Sequence, residues 1–291
     1  ANFWESSCSR TLVSRQRLAD ANLESRAKGL TEEHIAQIKA FFCSEIWELA
    51  KLCKLRYRVA ASAILYFRKI YVRHSFCSSE RDPRLLHVAC LYLASKAEES
   101  LLQAKHIVTY VKMSKPAWPY DVKHVLDAEM IILQDLDFNL VIYSPYRPLS
   151  MYAQDARVPN SLTQTAWGML NDSYCYSDAV LMYPPYLLAL ACMVLASVAV
   201  QHGVGDVAIA MPTHAAPTPP PAAHTPATPT AGPVDLTAWF TGLDVDHAQV
   251  YEVTKELASA YERHRTLISA DECNRLLDAV ITTGVPGAGN M

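Results

Sequence analysis

The chain has 291 residues, 51% apolar and 19% charged, which is too long for one small helical core and suits two domains of about 100 residues each. Its 26 basic and 29 acidic residues give a formal net charge of −3, which argues against a protein that lives on phosphate contacts with nucleic acid. Eight cysteines occur without a Cys-x-x-Cys pair, and Cys43, Cys53, Cys90 and Cys192 fall in helical apolar patterns, the usage of free thiols in a reducing compartment.

Residues 1–30 form a polar leader with a helix in it. It opens "ANFWESSCSR", with no apolar run of the signal-peptide kind, so none is expected. Phe3 and Trp4 stand outside any apolar period, either as anchors for a partner or tucked against the first domain. Residues 31–140 then read as five helices with scarcely a strand signal. The first, "TEEHIAQIKAFFCSEIWELAKLC", has Thr31 as N-cap, acids in its first turn, and an apolar face of Ile35, Ile38, Phe42, Ile46 and Leu49. "YRVAASAILYFRKIYVRH" follows; Pro83, preset for a first turn, opens a third helix running to about Glu98. "AKHIVTYVKM" is short, and the fifth runs from about Tyr120 to Leu136.

Residues 141–270 echo this plan, with helices expected at 149–156, 162–175, 185–201, 236–241 and 247–264. The third helices match: "PRLLHVACLYLASKA" at 83–97 and "PYLLALACMVLASVA" at 185–199 share nine of fifteen positions at an offset of 102, the mark of a duplicated domain. The run Leu187–Val200 is about fourteen residues, short of a bilayer span of roughly 20, so no membrane is expected. An insert at about 203–234 holds eight of the seventeen prolines and, from Val207 to Val234, no Asp, Glu, Lys or Arg. It is expected to be disordered, with Thr218, Thr225 and Thr228 before prolines as candidate phosphorylation sites. Residues 271–291 are assigned to a C-terminal tail, disordered from Gly284.

One position separates the two copies: Lys96 in the first, Val198 in the second. On a helical wheel Leu85, Ala89, Tyr92 and Lys96 share a face, and Glu129 interrupts a stripe of Val122, Leu126, Leu133 and Leu136 in the fifth helix. Unpaired buried charges cost several kcal/mol, so Lys96 and Glu129 are expected to meet. The pair is then either an internal salt bridge or part of a partner surface. The second reading is favoured because apolar residues serve stability as well, and Val198 is expected to fill the matching place with hydrocarbon.

Catalytic and metal signatures are missing. Only nine glycines occur, with no phosphate-binding glycine loop, no His-Glu-x-x-His and no Gly-x-Ser-x-Gly. His87 and Cys90 have a ligating spacing but lack companions, so no metal and no cofactor are expected. Lys51, Lys54, Arg58, Arg68, Lys69 and Arg73 suggest a basic surface, either merely solvated or meeting an acidic partner.

"LASKAEE" closing the third helix, the glutamate of "DAEMIIL" and the tandem five-helix plan resemble the cyclin family. "NFWESS", "LVIYSPYRPL" and "NDSYCYSDAVLMYPPYLLALACMVLAS" are similar to its transcriptional branch, which partners the Mediator-associated kinase. The resemblance implies an all-α tandem pair of five-helix cyclin boxes and a non-enzymatic regulatory subunit. It further implies nuclear residence, binding to a cyclin-dependent kinase and other Mediator kinase-module subunits, and no direct nucleic acid. It assigns Lys96 and Glu129 to the kinase contact and offers Glu98, Glu99, Phe3 and Trp4 as further contacts. Cell-cycle members dock substrates through a "MRAIL"-like start to the second helix; here "LRYRVAAS" puts Arg58 and Ser62 at the apolar positions. The alternative is a paired cyclin-fold transcription factor resembling factor IIB, which would be basic and carry a zinc ribbon.

Overall fold

The computed structural model describes residues 3–201, 236–263 and 267–282, and the regular structure of those residues is all helix, without a strand. They divide into two compact units: one built on the residues up to Ile142 together with Tyr174–Tyr176 and the C-terminal helix, the other on Tyr143–Ser173 and the residues from Ser177 to Arg263.

Three short helices lead the first unit, α1 (Ser7–Arg10), α2 (Arg15–Ala21) and α3 (Leu23–Ala27). The leader is tied down where the Cys8 thiol donates to the Val141 carbonyl at 2.9 Å and Ser7 Oγ to Asn139 Oδ1 at 3.1 Å. The five helices expected of this unit follow as α4 (Glu32–Leu52), α5 (Tyr57–Arg73), α6 (Pro83–Ala97), α7 (Ala104–Ser114) and α8 (Val122–Asp135). Thr31 caps α4 as expected: its hydroxyl accepts from the His34 amide at 3.1 Å while His34 Nδ1 accepts back from Thr31 N–H. All five apolar residues of the expected α4 face are buried.

α6 is the centre of the unit, packed against α4, α5, α7 and α8. It is buried nearly all round, and its small residues Ala89, Cys90, Ala94 and Ser95 let the neighbours approach closely. Each large apolar chain sealed here, such as Leu86 or Leu93, contributes about 1.5–3 kcal/mol. The helix starts at a polar clamp: Asp82 accepts from the Arg84 amide at 2.8 Å, from the Arg84 guanidinium at 2.7 Å and from the Tyr120 hydroxyl at 2.8 Å. It ends with Glu99 in the left-handed region at φ 53°, where Ser100 N–H reaches the Ser95 carbonyl at 2.8 Å and Glu99 N–H that of Lys96 at 3.1 Å.

The second unit contains α9 (Tyr146–Asp155), α10 (Asn160–Tyr176, less the three residues that cluster with the first unit), the single turn α11 (Ala179–Met182), α12 (Pro185–Gln201), α13 (Leu236–Thr241) and α14 (His247–Arg263). α12 packs on α9 and α14 and is the counterpart of α6. Inside, Asp172 accepts a 2.9 Å hydrogen bond from the Tyr261 hydroxyl, and Asn171 Oδ1 accepts one of 2.6 Å from Tyr146. Among the described residues no helix is long and apolar enough to cross a membrane.

The C-terminal assignment needs revision. Residues given to the tail form a helix, α15 (Ala270–Thr282), which packs on α4. Cys273, Leu277 and Val280 recur at helical spacing and are buried, and Asp278 meets the Arg84 guanidinium at 2.7 Å. The proline-rich insert, Thr218, Thr225 and Thr228, and the tail from Gly284 lie outside the described residues.

Candidate functional site

Lys96 stands in the last turn of α6 and Glu129 in the middle of α8, and the packing of these helices brings the ammonium onto the carboxylate. The two groups differ in burial. The Glu129 side chain is only 9% exposed and its buried Oε1 has Lys96 as its only partner among the described residues, whereas the Lys96 side chain is 42% exposed and rests over the Tyr92 ring at 4.8 Å. The pair is therefore open on the lysine side.

The surroundings differ from the wheel reading. The buried face of α8 carries Val125, Ala128, Glu129, Ile132 and Leu136; of the stripe expected around Glu129 only Leu136 is in the core. Leu126 is 41% exposed and Met130 53%, so Glu129 sits at the border between the core and an apolar strip facing solvent. Leu101, just after α6, is exposed as well. An accessible ammonium on a nearly buried carboxylate, edged with uncovered hydrocarbon, is suited to gripping another protein.

Glu98 is placed otherwise than expected. It is half-buried, accepts a 2.7 Å hydrogen bond from Ser62 Oγ and pairs with Arg58 at 3.1 Å, so its carboxylate is already engaged within the unit. Arg58 and Ser62 are the residues that replace the apolar pattern of "MRAIL"; here they and Glu98 make a polar cluster in its place. Their i, i+4 spacing on α5 was the available signal, but the acid that completes the cluster lies 36 positions from Ser62. Glu99 is exposed on its left-handed turn. Phe3 and Trp4 contact each other edge to face at 5.3 Å, with Phe3 half-buried and Trp4 exposed.

Val198 does not seal the second copy. It is 44% exposed, because α12 buries Leu187–Met193 against its neighbours and its last turn runs past them. The expected basic surface also dissolves: Arg68 is buried and donates to the Tyr174 carbonyl at 2.6 Å, Arg73 pairs with Asp137 at 2.6 Å, Arg58 with Glu98 and Lys51 with Glu48. That removes most of the positive stripe the DNA-binding alternative requires. His87 is a buried core ring, with Nδ1 2.8 Å from the Pro83 carbonyl and its face 5.2 Å from Phe42. Among the described residues no group of three or more His, Cys, Asp or Glu is placed to hold a metal.

The family description "Cyclin, N-terminal domain" matches residues 11–141. Cyclin-C1-1 of Oryza sativa is 36% identical over 91% of this chain and 90% of its own length, and Cyclin-C of Rattus norvegicus is 31% identical over 95% and 88%. Among solved structures, the chain is similar to one from the CAK complex of Chaetomium thermophilum bound to ATP-gamma-S (TM-score 0.61, 14% identity, 97% of this chain and 84% of that one). It is also similar to one from the yeast RNA Pol II CTD kinase CTDK-1 complex (TM-score 0.64, 13% identity, 97% and 86%). The relatives are cyclins, regulatory subunits and not enzymes, and with identity of this extent the chain belongs to the cyclin family, alongside the cyclin C proteins.

Proposed function

We propose that this chain binds and activates a cyclin-dependent kinase in the nucleus, as part of the Mediator kinase module that regulates RNA polymerase II transcription. The observation that carries the reading is the Lys96–Glu129 pair, reachable from solvent and bordered by Leu126 and Met130. In this reading residues 31–140 and 141–270 are two cyclin boxes, and the first supplies the kinase contact, with Glu99, Phe3 and Trp4 as secondary contacts. Glu98 acts by holding the end of α6 through Arg58 and Ser62. The chain contributes no catalytic group. Docking shifts the kinase's regulatory helix toward its active arrangement, so that its glutamate reaches the ATP-positioning lysine.

Charge reversal tests the contact: Lys96→Glu and Glu129→Lys each abolish co-purification and activation of the kinase while helical content is retained. Normal activation by either variant would remove the assignment. A pull-down of the full chain from nuclear extract tests the finer part, which fails if a kinase is recovered without other Mediator subunits.

A further inference from the structure

A pit of about 140 Å³ opens between the leader and the C-terminal ends of α5 and α8, within the first unit. Its walls are apolar at Val13, Val72 and Leu136, and four cations reach it, Arg10, Arg17, Lys69 and Arg73. Two carboxylates also line it, and both are neutralised already. Asp137 takes Arg73 at 2.6 Å, while Asp135 takes the Arg81 fork at 2.8 and 3.0 Å and His74 at 3.0 Å. Arg73 is further committed to the Asp135 carbonyl at 2.7 Å. Arg10, Arg17 and Lys69 are left without a carboxylate partner among the described residues.

Lys69 is the informative member. It is half-buried on α5, and desolvation, helped by the charge of Arg73, holds its ammonium below the usual lysine range. The pit thus gathers a half-buried ammonium at Lys69 and, from its exposed rim, the guanidinium groups of Arg10 and Arg17, a set of cations that an anion would complete. Asn139 adds a donor at the rim: its Oδ1 accepts from Ser7, which leaves the amide nitrogen without an acceptor among the described residues. The volume lies well below the roughly 300 Å³ of ordinary small-molecule sites, which suits one tetrahedral anion and not a nucleoside. A membrane surface would need a broad basic face, and Arg58, Arg68 and Arg73 are spent internally.

We propose that this pit binds a phosphate monoester presented by a phosphoserine or phosphothreonine of a partner protein, with Arg10 and Arg17 gripping its oxygens, Lys69 closing the base and Val13 and Val72 receiving the side-chain carbon. Forked guanidinium donors and a point-charge lysine are the groups that recognise such an anion. The pit does not depend on the Lys96 surface, so it stands or falls separately from the kinase contact.

The test is a titration of the full chain, at fixed ionic strength, with N-acetyl phosphoserine amide, N-acetyl serine amide and inorganic phosphate, followed by the Thr11 and Asn139 amide signals and the Lys69 side-chain ¹³Cε shift. Phosphoserine amide gives saturable shifts at Thr11, Asn139 and the Lys69 side chain; serine amide gives none, and inorganic phosphate binds more weakly. Lys69→Met, which keeps the stem, cuts affinity at least tenfold, and Arg17→Ala, on the exposed turn, cuts it several-fold with no change in fold. No saturation, an unchanged affinity in both variants, tighter binding of inorganic phosphate than of phosphoserine, or binding only to vesicles containing phosphoinositide would each overturn the proposal.

Discussion

Replacing both members of the Lys96–Glu129 pair with methionine separates recognition from stability. Lys96→Met alone strands a carboxylate that is 9% exposed and has no other partner among the described residues. Breaking a fully buried pair costs about 3–5 kcal/mol, but the Lys96 side chain is 42% exposed and its attraction is partly screened, so the expected loss is about 1–2 kcal/mol. Adding Glu129→Met removes the stranded charge and fills the site with hydrocarbon, which returns the stability to within about 1 kcal/mol of the parent. Urea unfolding of the isolated chain at pH 7.5 reads this term. Kinase affinity behaves oppositely: the single and the double variant both lose at least tenfold, about 1.4 kcal/mol, because the partner meets no charge in either. A double variant that bound the kinase like the parent, or that stayed about 2 kcal/mol less stable, would show that the pair serves its own fold.

The two units respond to pH with opposite sign. Burial lowers the His87 pKa to about 4, so the unfolded chain binds the extra proton first and stability falls as pH drops from 6.5 toward 4, by up to about 3 kcal/mol. Burial raises the Asp172 pKa to about 7, against the hydrogen bond from Tyr261, so the folded second unit holds a proton that the unfolded chain releases. Stability there declines as pH rises from about 4 to 7, by up to about 4 kcal/mol. Asp172→Asn flattens that decline and stabilises the unit at pH 7.5, and a pH series of urea midpoints checks both slopes. Leu277→Ala, in the helix missed as tail, costs about 2–5 kcal/mol in the first unit, whereas Val198→Ala, half out of the core, changes stability by less than about 1 kcal/mol in thermal unfolding.

What the sequence could reveal was what local chemistry decides. Thr31 and Pro83 mark helix starts because capping is settled within four residues, and Lys96 and Glu129 declare each other because two opposite charges in apolar stripes have few other ways to be satisfied. The engagement of Glu98 could not be read, since it depends on the separation of α5 and α6. The face of Glu129 was misjudged because Leu126 and Met130 are as apolar as the core and periodicity cannot tell a covered stripe from one waiting for a partner. Val198 follows the same limit, since α12 lacks at its last turn the surroundings that α6 has. α15 gives a weak sequence signal because polar residues fill the spaces between Cys273, Leu277 and Val280 and the segment adjoins a stretch poor in large apolar residues.

The return of α15 to α4 also has a temporal side. The face of α4 that receives it is translated early, but the helix that covers it follows only after more than two hundred further residues. At about 5–20 residues per second that delay lasts roughly 11–43 s. During that interval the nascent first unit carries an open apolar seam beside Phe41 and Phe42, which makes it a natural client for chaperones.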